Sequence, residues 1–305
     1  MSAPRHLLET DDLTADELAA VLDLAGRSPE ARPLAARCVA LLFEKPSART
    51  RNSCEAAVVD LGGHPVAIRG EEVGIDVRET AEDVARTLGC YHAAIGARVF
   101  EHAKLERMAA VAPVPVINLL SDDAHPCQAL ADLLTLRDEF GVLTGRTVAY
   151  VGDFNNVARS LGRAAALAGM GVRWACPEGY GVPDDEVERV RSLGAPSVLA
   201  TSDPAEAAAG ADALYTDVWA SMGQEAEAER RRRDFAGYTV DAALMARAAP
   251  GAVFLHCLPA HRGEEVAAEV IDGPASRVWP QAANRRHAFR GLLAFLLLAS
   301  TADVR

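Results

Sequence analysis

Cys38-Val39-Ala40-Leu41-Leu42-Phe43-Glu44-Lys45-Pro46-Ser47-Ala48-Arg49-Thr50-Arg51 joins an apolar run of strand length to a polar turn. The segment after it, 47–61, has helical spacing, with Ala56, Ala57, Val59 and Leu61 expected inside and Arg51, Glu55 and Asp60 expected in water. The polar turn therefore ends at a helix N-terminus. Unpaired backbone N–H groups and the positive end of the helix dipole meet there. Ser47, Arg49 and Thr50 add hydroxyl and guanidinium donors, which makes the turn a place for a phosphate or a carboxylate. Ser47 would serve equally well as a plain helix N-cap, and this stretch alone leaves both readings open.

Working outward, the same alternation recurs. Strands are predicted at 66–68, 93–98 and 114–119, and helices at 12–25, 80–88, 101–112 and 129–140. Thr14 with Glu17 forms a capping box for the first helix. Residues 70–76 have no period and are expected to form a mobile loop. Strand–helix alternation implies a parallel sheet covered on both faces, and in such sheets ligands sit beyond the carboxyl ends of the strands. Arg98 lies at one such end. Ser121-Asp122-Asp123-Ala124-His125-Pro126-Cys127-Gln128 follows another, with Pro126 in the first helical turn. Singly, Arg98 reads as well as a surface ion-pair partner, and His125 as a helix-entry residue bonded to backbone. Their convergence with the Ser47 turn favours a site.

Gly141-Val142-Leu143-Thr144-Gly145 reads as a break. It divides the chain into 1–140 and 141–280, with a C-terminal helix over 281–299 expected to return to the first part, so that 281–305 belongs with it. Strands at 147–151, 172–176, 197–200, 213–216 and 253–255 alternate with helices at 158–168, 185–193 and 204–209. The fold expected is α/β, two domains, each a parallel sheet flanked by helices. Phe154 stands where a dinucleotide-binding turn needs its second glycine, so a nicotinamide cofactor is disfavoured. Asp217-Val218-Trp219-Ala220-Ser221-Met222-Gly223 ends a strand with a carboxylate and a hydroxyl, a loop suited to an amine. Residues 225–234 are charge-rich and expected as a solvated helix or lid. His256, Cys257 and His261 lack a matching second ligand pair, so no metal is expected. Arg285, Arg286 and Arg290 are expected on the polar side of the last helix.

With 305 residues and half of them hydrophobic, there is enough apolar material for two cores. The net charge of −12 argues against a nucleic-acid partner, since a polyanion needs a basic surface. It leaves room for a small anion, which needs only a local group of arginines. Six scattered cysteines without a CxxC pair fit a reducing compartment. No run reaches membrane-spanning length and the N-terminus shows no signal-peptide core, so a cytoplasmic location is expected.

The set Ser47-Ala48-Arg49-Thr50-Arg51, Arg98, His125-Pro126-Cys127-Gln128, Asp217 with Ser221-Met222-Gly223, and His256-Cys257-Leu258-Pro259 resembles the ornithine carbamoyltransferases. The resemblance runs over nearly the whole chain, in order and with family-like spacing. It implies carbamoyl transfer from carbamoyl phosphate to the side-chain amine of L-ornithine, without metal or organic cofactor, in a homo-oligomer built on trimers. A relative acting on acylated ornithine or a diamine would share the first half and differ in the second. By resemblance, Ser47, Ala48, Arg49, Thr50, Arg98 and Arg285 hold carbamoyl phosphate. Thr50, Arg98 and His125 polarise its carbonyl, and Gln128 with the Leu258 backbone takes its NH2. Asn156, Asp217, Ser221 and Met222 bind ornithine, with Cys257 and Asp217 against its side-chain amine. Two departures stand out. Ala48 replaces the family's usual threonine, its backbone N–H being left to serve the phosphate. The loop glutamine that reaches a neighbouring subunit falls on Gly74, so Glu72, Arg78 or another group substitutes or the contact is missing.

Overall fold

Two separate parallel sheets organise the chain in the computed structural model, which describes residues 4–29, 31–220 and 225–302. The chain falls into two units, Met1–Leu134 with Ala283–Arg305, and Thr135–Ala282. Both cuts lie inside helices, one ahead of the expected break at Gly141.

The first unit runs α1 (Ala15–Gly26), β1 (Cys38–Phe43), α2 (Ala48–Asp60), β2 (His64–Arg69), α3 (Gly70–Val73), α4 (Ala81–Tyr91), β3 (Ile95–Arg98), α5 (His102–Ala109), β4 (Val116–Leu120) and the start of α6 (Pro126–Phe140). Its sheet has the order β2-β1-β3-β4, all parallel. β1 is central and apolar throughout, as a strand covered on both faces must be. Phe43 pairs in register with Arg98, so the Ser47 turn and Arg98 leave the sheet side by side. The core packs Leu42, Ile95, Ala97 and Val116 of the sheet against Val84, Leu105 and Met108 of the helices.

Two local expectations change. The inner face of α2 is Thr50, Cys54, Ala57 and Val58, while Val59 is 59% exposed. A buried polar residue, Thr50, sets the helix phase, one position off what the apolar residues alone suggest. Within 70–76, Gly70–Val73 form the short helix α3, ended by Gly74 in the left-handed conformation at φ +64. Arg78 folds back over this turn and donates to the Glu72 carbonyl at 3.0 Å.

The second unit continues with β5 (Thr147–Val151), α7 (Asn156–Leu167), β6 (Gly171–Ala175), α8 (Asp184–Ser192), β7 (Val198–Thr201), α9 (Pro204–Ala208), β8 (Ala213–Thr216), α10 (Ala228–Asp234), α11 (Ala242–Met245), β9 (Val253–His256), α12 (Ala268–Ile271) and the start of α13 (Val278–Ala302). Its five parallel strands are ordered β7-β6-β5-β8-β9. The rest of α13 belongs to the first unit. Gly291 lets it approach α1 closely, because a Cβ there would lie 2.6 Å from the Ala25 nitrogen and the Val21 carbonyl oxygen. Arg285 and Arg290 are buried, not on a solvated face, and Arg290 donates to the Ala25 and Arg27 carbonyls. Arg286 alone of the three behaves as expected, exposed and paired with Asp60. No helix among the described residues is long and apolar enough to cross a membrane.

Candidate active site

In each sheet the strand order reverses direction at one place, and polar side chains gather there. For β2-β1-β3-β4 the reversal lies between β1 and β3. Chains leaving these two strands go to opposite faces, which opens a crevice at their carboxyl ends.

Ser47 caps α2, its Oγ accepting from the Thr50 backbone N–H at 3.3 Å. Both earlier readings of this serine are compatible, since the cap shapes the helix N-terminus that an anion would face. Ala48 and Arg49 fill the first turn. Thr50 Oγ1 accepts from Arg98 Nη1 at 3.3 Å and from Arg285 Nη2 at 3.1 Å. Arg98 and Arg285 are only 5% and 7% exposed, so two guanidinium charges converge on one hydroxyl away from bulk water. The other end of Arg285 meets neutral groups. Nη1 donates to Gln128 Oε1 and lies 3.4 Å from His125 Nε2. Two guanidinium charges meeting on a hydroxyl at a helix N-terminus are donors of the kind that suit an anion.

His125 is buried, and burial, then Arg285, then Arg98, lowers its pKa well below the ordinary 6.5. Its imidazole is neutral at neutral pH, and a neutral imidazole can offer one N–H to a developing oxyanion. Burial also pushes the Cys54 thiol up to about 12 and raises that of Cys127, so neither is a ready nucleophile.

The second sheet reverses between β5 and β8. Asn155 follows β5 and caps α7, its Oδ1 accepting from the Val157 and Ala158 N–H groups. Its Nδ2 donates to Asp217 Oδ2 at 3.0 Å. Asp217 Oδ1 accepts from the Val218 N–H at 2.8 Å and from Cys257 Sγ at 3.1 Å. Asp217 and Cys257 are thus brought together, whereas Asn156 is the first residue of α7 and the neighbouring Asn155 takes the bond to Asp217. Of the two adjacent asparagines, Asn155 is the one that caps the helix. Ser221 and Met222 lie outside the described residues.

Leu258 adopts the left-handed conformation at φ +62. Its N–H donates to His256 Nδ1 at 2.9 Å, and His256 Nε2 donates to Glu265 Oε1 at 3.1 Å. These buried partners hold a backbone conformation that leucine disfavours. They also bear on metal binding. Ligand atoms of Asp217, His256 and Cys257 lie within 4.8 Å of one another, but both His256 nitrogens already serve protein partners. Phe154 packs edge-on against Trp174 with ring centroids 5.9 Å apart, filling the place a close-approach glycine would leave open.

Residues 225–234 do not form a fully solvated element. Arg231 is buried and donates to Asp153 Oδ2 at 2.6 Å and to the Trp219 carbonyl at 2.8 Å. Burial nonetheless raises the Asp153 pKa, against the pull of Arg231.

Comparison with known proteins matches the chain in two parts. Residues 5–138 match the family described as aspartate/ornithine carbamoyltransferase, carbamoyl-P binding domain, and residues 144–296 match its Asp/Orn binding domain. An ornithine carbamoyltransferase of Parafrankia sp. (strain EAN1pec) is 51% identical, with 98% of each chain covered. An anabolic ornithine carbamoyltransferase of Pyrococcus furiosus is 46% identical, with 97% of each covered. Among solved structures, the ornithine carbamoyltransferase of Thermus thermophilus superposes with a TM-score of 0.88 at 47% identity, covering 97% of this chain and 100% of that one. The anabolic enzyme of Campylobacter jejuni gives 0.90 at 32% identity, covering 99% and 100%.

Proposed function

We propose, because the chain belongs to the aspartate/ornithine carbamoyltransferase family, that it transfers the carbamoyl group of carbamoyl phosphate to the side-chain amine of L-ornithine, giving L-citrulline and phosphate. The single observation that carries the anionic half is the meeting of Arg98 and Arg285 on Thr50 at the N-terminus of α2. The amine half rests on Asp217, and the choice of ornithine on relatives about half identical over nearly the full chain.

In this reading the phosphate lies on the first turn of α2, with Ser47, the Ala48 N–H, Arg49 and Thr50 as donors and Arg98 and Arg285 as charges. His125, Arg98 and Thr50 face the carbonyl oxygen. Gln128 Oε1 and the Leu258 carbonyl accept hydrogens from the carbamoyl NH2. Asn156, Asp217, Ser221 and Met222 hold ornithine, and Asp217 with Cys257 takes its side-chain amine.

A free alkylamine is mostly protonated at neutral pH, as lysine is, so the site must favour its neutral form before attack. The nitrogen lone pair then adds to the carbonyl carbon and an oxyanion forms. Preorganised donors stabilise this charge where it appears. The C–O bond to phosphate breaks, the nitrogen gives up a proton, and the departing phosphate can take it. Positioning and electrostatics supply the acceleration without a covalent enzyme intermediate.

A homo-oligomer built on trimers and a cytoplasmic location belong to the same proposal and rest on the resemblance. Sedimentation of the purified chain tests the first. The activity is tested by phosphate release from carbamoyl phosphate with ornithine, N-acetylornithine, putrescine, aspartate and lysine offered in parallel. Release with ornithine alone, together with citrulline, is expected. Release with another acceptor instead would overturn the assignment.

A further inference from the structure

The Gln128 side chain is fixed from both ends. Its Nε2 donates to Asp132 Oδ1 at 2.7 Å, and its Oε1 accepts from Arg285 Nη1. Gln128 and Asp132 stand one helical turn apart on α6 and are 1% and 0% exposed. A glutamine amide keeps its shape when rotated by half a turn, but donor and acceptor change places. After such a rotation Oε1 would meet the Asp132 carboxylate oxygen, acceptor against acceptor. Nε2 would meet the Arg285 guanidinium, donor against donor. Each mismatch in a buried place forfeits a hydrogen bond that nothing replaces. The two neighbours therefore hold the amide with its oxygen on the Arg285 side.

We propose that Asp132 is a positioning residue which, through Gln128, sets the preference for a carbamoyl group over an acyl group lacking N–H. The proposal rests on the reading above, in which Gln128 Oε1 accepts a hydrogen from the carbamoyl NH2. A carbonyl oxygen has two lone pairs, so Oε1 can serve Arg285 and the substrate together. A carbamoyl group brings N–H donors to that oxygen where an acetyl group brings a methyl. A site built to bond an N–H rejects the analogue that lacks it, because a buried polar group is then left unmatched. Rotated, the amide would set its own NH2 against the substrate's and lose the distinction. Asp132 touches neither the phosphate nor the reacting carbon in this account. It acts by denying Gln128 the wrong orientation.

The test measures the Kd values of carbamoyl phosphate, acetyl phosphate and inorganic phosphate by calorimetry on the full chain. The variants are Asp132→Asn, Gln128→Ala and the two combined. Asparagine keeps the shape but offers an N–H as well as an oxygen, so it no longer dictates the amide's orientation. Asp132→Asn is expected to raise the carbamoyl phosphate Kd by about twofold at most, the limit reached when half of the amides are rotated, because Arg285 still opposes the rotation, with the other two Kd values unchanged within error. Gln128→Ala is expected to show a larger loss of the same selective kind, about tenfold, the scale of one hydrogen bond. Adding Asp132→Asn to Gln128→Ala is expected to change nothing further, because the aspartate acts only through the amide. If Gln128→Ala leaves the preference intact, the reading of Gln128 fails. If Gln128→Ala loses it while Asp132→Asn is neutral, or weakens all three ligands alike, the role of Asp132 fails. Should Asp132→Asn not fold, Asp132→Leu fills the same space without an acceptor and is read in the same way. If neither variant binds inorganic phosphate, Asp132 serves the fold and the proposal is overturned.

Discussion

Arg285 Nη2 donates to Thr50 Oγ1 at 3.1 Å, joining two residues 235 positions apart in sequence. The C-terminal helix thereby delivers a cation to the first turn of α2, beside the cation that β3 delivers as Arg98. Both charges are buried, and among the described residues Arg285 meets a hydroxyl, an amide oxygen and an imidazole. Such an arrangement is costly in the empty protein and favourable once an anion arrives. Arg285→Met, which fills space without charge, should therefore leave the unfolding midpoint nearly unchanged or raise it. Its carbamoyl phosphate Kd should rise on the order of 10–150-fold, the loss of about 1.5–3 kcal/mol from one charge-assisted contact. Calorimetry and thermal unfolding of the same sample check both. A large fall in stability with intact binding would show that Arg285 serves the fold.

Arg98 differs from Arg285 in its expected effect because it is assigned to the carbonyl oxygen as well as the phosphate. Arg98→Ala should lose roughly 2.7–4 kcal/mol of transition-state stabilisation, the scale for one oxyanion donor. The loss should fall mainly on kcat, by about 10²–10³-fold. Steady-state kinetics with both substrates varied gives the answer, and near-normal turnover would remove Arg98 from the oxyanion role.

Asp217 accepts from the Val218 N–H, Cys257 and Asn155, so its carboxylate is oriented before any amine arrives. Asp217→Asn turns an NH2 toward one of these donors and removes the charge. The value of kcat/KM for ornithine should fall roughly 10–150-fold, corresponding to about 1.5–3 kcal/mol. The carbamoyl phosphate Kd should stay within about twofold in the absence of ornithine, since no contact of the first cluster is touched. Equal weakening of both ligands would contradict the assignment of Asp217 to the amine.

Burial, then Arg285 and Arg98, holds the His125 pKa well below 6.5, and burial lowers that of His6. As the pH falls past 6.5, these groups take up protons in the unfolded chain before they do so in the folded one. The unfolded state then binds more protons, so stability rises with pH in that window and is lost on acidification. Well above 6.5 both histidines are neutral in either state and add no slope. His125→Asn should therefore flatten the fall of the thermal midpoint between about pH 7 and 5. An unchanged slope would mean that other groups govern acid unfolding.

The strands were legible in the sequence because apolar runs such as Cys38–Phe43 and Ala213–Thr216 coincide with the strands themselves. Polar residues at strand ends then fall where the chain order reverses. What periodicity missed were buried polar side chains. Thr50 turned the phase of α2 and put Val59 outside, and Arg285, Arg290 and Arg231 went inward despite their charge. Hydrophobic spacing assigns such residues to water by construction. That Asn155 and not Asn156 is the cap of α7 depends on backbone angles that composition does not carry. Asp132 was invisible for a related reason. Its meaning lies in what Gln128 does at the other end of one amide.

Gly291 decides whether the α13 segment that bears Arg285 can lie where it does. A Cβ there would come within 2.6 Å of the Val21 carbonyl oxygen and the Ala25 nitrogen, both backbone atoms of α1 that cannot rotate aside. Alanine is the better helix former, so propensity alone would favour Gly291→Ala by about 1 kcal/mol. Overpacking costs roughly 1–3 kcal/mol and should win, because α13 must either shift or bend to relieve it. Urea unfolding should show an earlier first transition. A shift of α13 also moves the Arg285 guanidinium away from Thr50, so the carbamoyl phosphate Kd should rise with the loss of stability. If Gly291→Ala stabilises the protein and leaves binding unchanged, the close approach of α13 to α1 is not what seats Arg285.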